Sequence, residues 1–109
     1  MDVKNLTHIE ITSWYPTIKT QEVTDKYLAL LQDPGMPSSV KSFKIFSKPH
    51  RRGIQSKSYL EIETGKLDEA FTDLGPLLTA LSEIEGYNYE YALALSIEES
   101  MAAQQAQQG

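Results

Sequence analysis

Cysteine is absent from all 109 residues. That absence removes disulfides, thiolate nucleophiles and Cys-ligated metals from consideration, and it gives no support to secretion. Histidine is scarce, with only His8 and His50, so a Ser-His-Asp arrangement has little to draw on. No G-x-S-x-G elbow surrounds any serine. Phosphate-cradling loops of the G-x-x-x-x-G-K-[ST] or G-x-G-x-x-G type do not occur either. No apolar run approaches the ~18 residues that would span a bilayer. The N-terminal Met1-Asp2-Val3-Lys4-Asn5 lacks the apolar stretch of a signal peptide, so the expectation is a soluble, cytoplasmic protein.

What is present is a repeated order of periodicities. Residues 6–48 read strand–helix–strand, and residues 54–97 read so again. From Leu6 to Trp14, Ile9 and Ile11 alternate with His8, Glu10, Thr12 and Trp14, the period-two pattern of a half-buried strand, and Pro16 ends it. Val23, Tyr27, Leu30 and Leu31 then share one helical face, with Thr20 placed as the cap, and Asp33-Pro34-Gly35 stops the helix. Val40–Lys48 and Ile54–Glu63 read as a hairpin turning at Gly53. The first of these strands presents Phe43 and Ile45 to one side; the second presents Leu60 and Ile62. A second helix from Lys66 carries a stripe of Leu67, Ala70, Phe71, Leu74, Leu78 and Leu81. Gly75-Pro76 is expected to break or kink it, because proline lacks a backbone donor and clashes with the preceding turn. Tyr87–Ile97 alternates as a fourth strand whose inward face the pattern does not decide. Residues 1–97 are read as one domain, and the Gln/Ala-rich stretch 98–109 as a polar flexible tail.

The implied fold is α+β, a βαββαβ sandwich with a four-stranded antiparallel sheet and two helices on one face. Two helices leave the other sheet face open. His8, Glu10, Thr12, Trp14, Phe46, Tyr59 and Glu61 fall on it. A solvated face accounts for the polar members. The aromatic members form a patch of the kind that meets a partner. His8 and Glu10, at i and i+2, are candidates for proton transfer, the competing reading being a histidine hydrogen-bonded inside a dimer seam. Thr12, Trp14, Tyr59 and Glu61 are candidates for contacting a ligand. No metal site and no cofactor is expected, since one histidine beside one carboxylate is a poor ligand set.

Charge is unevenly spread. Net charge is −5, yet Lys41, Lys44, Lys48, Arg51, Arg52 and Lys57 stand without any acid among them. Lys48, His50, Arg51 and Arg52 are therefore candidates for holding an anionic ligand, against the alternative of a solvated hairpin tip. Nucleic acid is disfavoured as a partner. A sheet that stacks RNA bases also runs βαββαβ, but here Lys57-Ser58-Tyr59-Leu60-Glu61-Ile62-Glu63 puts two carboxylates where phosphates would approach.

In element order, length, its aromatic, ionisable open face and the expected break in its second helix, the chain resembles the dimeric α+β barrel (ferredoxin-like) superfamily. The resemblance covers about residues 6–97 and implies a homodimer of face-to-face sheets that binds a small organic molecule, with no membrane partner. Members of that superfamily range from monooxygenase- and isomerase-like enzymes to non-catalytic binding or scaffolding dimers. No motif selects among them, and no catalytic residue is carried over.

Overall fold

A computed structural model of the chain describes residues 6–63, 65–94, 101 and 105. Six main elements follow one another: β1 (Leu6–Tyr15), α1 (Thr20–Gln32), β2 (Val40–His50), β3 (Gly53–Glu63), α2 (Leu67–Ser82) and β4 (Asn88–Ala94). The strands form one antiparallel sheet in the order β2-β3-β1-β4. Each strand–helix–strand unit thus skips one position in the sheet, and the strand of the other unit fills it. This is the ferredoxin-like α+β arrangement that the element order implied.

Strand parity sorts the side chains. On β1, Ile9 and Ile11 point to the helices and are buried, and their register partners Leu60 and Ser58 on β3 share that side. Pairing of Ile9 with Leu93 and of Ile11 with Tyr91 settles the face that the sequence left open. Tyr89, Tyr91 and Leu93 lie on the helix side of β4.

Two apolar clusters hold the helices to the sheet. The larger joins Ile9, Ile11, Val40, Leu60 and Ile62 to Ala70 and Leu74 of α2. The smaller joins Tyr15, Val23 of α1 and Ile84, with Ile54 and Tyr87 packed against it. The Tyr15 and Tyr87 rings stack 6.1 Å apart. Lys26 of α1 meets Glu83, just past α2, at 3.1 Å.

Three expectations need correction. Thr20 does not cap α1. A short 3-10 turn over Thr17–Lys19 leads into the helix, and the Thr20 hydroxyl donates to the Thr17 carbonyl instead, 2.7 Å away. The second helix is not broken at Pro76, because α2 runs unbroken from Leu67 to Ser82 with Pro76 inside it. Packing of Ala70, Leu74 and Leu81 on one face outweighs the single backbone bond that proline forgoes. Phe43 and Ile45 face the helix side as expected, yet they remain 37% and 36% exposed, because the helices stop short of the β2 edge. The far end of the fourth strand lies outside the described residues, and so does the tail apart from residues 101 and 105.

Candidate functional site

The open face is built as parity requires. Across β1 and β3, His8 stands opposite Glu61, Glu10 opposite Tyr59, and Thr12 opposite Lys57. His8 Nε2 lies 3.7 Å from Glu61 Oε2. The Tyr59 hydroxyl donates to the Glu10 carboxylate. That bond, followed by partial desolvation and the nearby negative charge, holds the Tyr59 hydroxyl above its ordinary pKa. The two carboxylates of interest thus pair across strands. These pairs can hold or relay a proton, and the arrangement names no substrate. Thr12 is 7% exposed, shielded by its neighbours on a face that is otherwise open. Phe46 is 61% exposed and meets the Tyr59 ring edge-on, with centroids 6.3 Å apart.

The structure regroups the ligand and anion candidates. Trp14, His50, Arg51 and Arg52 line one concavity of about 680 Å³ at the end of the sheet, together with Asn88. Lys48 lies apart from them, in a second hollow of about 320 Å³ shared with Phe46, Lys57 and Tyr59. So Trp14 joins the arginines, while Tyr59 joins Lys48.

A third cavity lies on the covered face, where the sequence reading placed a packed core. It measures about 180 Å³. Its wall on the helix side is Val23, Tyr27, Leu74 and Leu78. Its floor is a row of serines: Ser13, Ser56 and Ser47 sit side by side on β1, β3 and β2, with Ser58 one inward position along. Ser47 Oγ and Ser56 Oγ share a hydrogen bond of 2.7 Å, and the Tyr87 hydroxyl donates to Ser13 Oγ at 2.9 Å. Tyr27 Oη is buried, with no hydrogen-bond partner among the described residues. Burial, and then the proximity of Tyr87, push the Tyr27 hydroxyl up to about 12. Burial likewise raises Tyr87, opposed by its bond to Ser13.

This cavity was missed because serine in a strand reads as neutral punctuation. The signal was nevertheless present. Parity puts Ser13 in phase with Ile9 and Ile11, and Ser56 and Ser58 in phase with Leu60 and Ile62. Four small hydroxyl residues at inward positions leave a volume that large apolar side chains would fill.

Among the described residues, no group of three or more His, Asp or Glu side chains could hold a metal ion. No described helix is long and apolar enough to cross a membrane.

No protein-family model and no curated protein sequence matches the chain. Solved structures do. A de novo designed protein, Foldit4, superposes with a TM-score of 0.56 at 9% identity, covering 84% of this chain and 98% of its own. A conserved protein from Methanosarcina mazei Go1 gives 0.55 at 14% identity, covering 83% and 94%. A monooxygenase from the gene ActVA-Orf6 of Streptomyces coelicolor, in complex with the ligand nanaomycin D, gives 0.51 at 11% identity, covering 88% and 96%. The class is therefore the ferredoxin-like α+β fold. A designed protein among these neighbours makes plain that the fold by itself specifies no activity.

Proposed function

We propose that the chain is a small-molecule-binding protein that works as a homodimer. Its ligand is a ring of about benzene size bearing an oxygen, held in the cavity between the serine row and the helices. The observation that carries this reading is the cavity itself, an apolar space between helix side chains, Tyr27 among them, and a row of serines on the sheet. An apolar cavity with a few convergent polar groups is the usual form of a small-ligand site. A cavity of ~150 Å³ already accepts benzene. Exposure of Phe43 and Ile45 at the β2 edge supplies a mouth. That a structural neighbour of 11% identity was solved with an organic ligand is consistent with this use of the fold.

The open face then serves assembly. Lys44, Lys48 and Lys57 occupy its β2–β3 side, whereas Glu10, Glu61 and Glu90 occupy its β3–β1–β4 side. A two-fold axis through the face would lay one subunit's cations over the other's acids and bury Phe46, which is how an isologous interface becomes self-complementary.

Calorimetric titration with phenol and with benzene tests the ligand reading. Phenol should bind more tightly than benzene, and Ser56→Leu should abolish both. Failure of wild type to bind either compound would remove the cavity as a site. Light scattering tests assembly. The expected mass is twice the 12.3 kDa of the chain, with Phe46→Glu shifting it to one chain. A wild-type monomer at micromolar concentration would refute the dimer.

A further inference from the structure

The concavity at the end of the sheet is separate from the serine-lined cavity, sharing only Tyr15 with it, and it does not depend on the function proposed for that cavity. Three chain segments converge on it. β1 delivers Trp14 as it leaves the sheet, with Pro16 two residues on. β4 begins opposite, with Asn88 in register with Trp14. The β2–β3 hairpin delivers His50, Arg51 and Arg52.

The hairpin is held there by its backbone. Gly53 has φ +143° and passes so close to the Tyr15 carbonyl that any Cβ at this position would collide with it. Ile54, the next residue, pairs with Tyr15. The two arginines are therefore tethered, through a contact only glycine allows, beside the strand end that carries Trp14.

The chemistry of the walls is specific. No carboxylate is among the described residues lining the space. Two guanidinium groups and an imidazole line it, in a chain whose net charge is −5. The indole of Trp14 and the ring of Pro16 add flat apolar surface to the same lining. Guanidinium groups bind carboxylates in a bidentate fork and also stack on aromatic planes. Apolar ring surface and guanidinium groups in one concavity fit a molecule that is flat at one end and anionic at the other.

We infer that this concavity is a binding site for an aromatic carboxylate. Its ring lies against Trp14 and Pro16, and its carboxylate is held by Arg51 and Arg52. His50 and Asn88 close the sides.

Trp14 is the sole tryptophan of the chain, so the wall of the site reports its own occupancy. Indole fluorescence is followed while benzoate, acetate or benzyl alcohol is titrated into the full chain, at low and at high salt. Benzoate should give a saturable change, whereas acetate, lacking the ring, and benzyl alcohol, lacking the charge, should give little at the same concentrations. Raising the salt should weaken benzoate, as screening of exposed charge requires. The double substitution Arg51→Ala with Arg52→Ala should weaken benzoate by about tenfold or more, the scale of losing a charge-assisted pair. Circular dichroism of the double variant establishes that the sheet is intact. Equal responses to benzyl alcohol and benzoate would overturn the proposal, as would an unchanged benzoate affinity in the folded double variant. The absence of any saturable change in wild type would overturn it too.

Discussion

The covered face of the sheet holds two regions that differ by one turn of strand pleat. At one end Ile9 and Ile62 are wholly buried with Leu60 beside them in the sheet, and Ala70 and Leu74 of α2 close over them. Toward the other end the same strands offer Ser13, Ser56, Ser58 and Ser47, and the space above them stays open. Beyond the serines, packing resumes with Tyr15, Val23 and Ile84. The helices rest on the two apolar clusters and bridge the gap between them. A cavity thus needs no special loop or lid. Small side chains in one stretch of an otherwise apolar pattern suffice, provided that the flanking clusters hold the roof in place.

That comparison can be broken from its dense side. Ile62→Ala should cost roughly 2–5 kcal/mol, the range for truncating a large aliphatic side chain in a packed core. Urea denaturation measures it. A cost near zero would mean that this cluster does not anchor the roof.

The hollow side should respond in the opposite sense. Ser56→Leu fills unoccupied volume, so stability should rise by about 0.5–2 kcal/mol while phenol binding is lost. A strongly destabilised variant would show that the space is smaller, or its walls stiffer, than the geometry indicates.

The smallest expected effect is at Tyr27. Its buried hydroxyl lacks a partner among the described residues, so Tyr27→Phe should leave stability at neutral pH unchanged or raise it by up to about 1 kcal/mol. In alkali the two proteins should diverge. The folded chain keeps the Tyr27 proton up to about pH 12, whereas an unfolded tyrosine releases it near its ordinary value of 10.0. Between those values the folded state binds the extra proton, and wild-type stability falls as pH rises. Tyr27→Phe should lose that part of the slope. Chemical denaturation at a series of pH values reads it out, and parallel slopes would place Tyr27 in solvent.

The order of the strands and helices along the chain and the faces of Ile9, Ile11, Leu60 and Ile62 were legible in the sequence. They follow from period-two alternation, with Ile9 and Ile11 against His8 and Glu10 as the clearest case. Helix details were less so. A threonine before an apolar run satisfies the rule for a cap, but whether it caps depends on the turn leading in, and here Thr17–Lys19 forms a 3-10 turn. Proline at 76 signals a break, but the packing of its neighbours on the sheet keeps α2 whole. The regrouping of Trp14 with Arg51 and Arg52 could not be read from spacing. It arises from the β1–β3 register and the approach of Gly53 to the Tyr15 carbonyl, both of which are long-range facts.

Pro16 and Gly86 meet where β1 leaves the sheet and the chain turns toward β4. A Cβ on residue 86 would lie 2.6 Å from Pro16 Cγ, and the backbone there has φ +87°. These two facts make the positions unequal partners in divergence. Pro16 can be replaced while Gly86 stays, because the glycine asks nothing of its neighbour. Gly86 cannot readily be replaced while Pro16 stays, and even without the proline the left-handed backbone admits little besides glycine or asparagine. Among descendants of this chain, loss of the proline should therefore come before any loss of the glycine. The order in which the two changes appear on a phylogeny would be a fossil record of a single van der Waals contact.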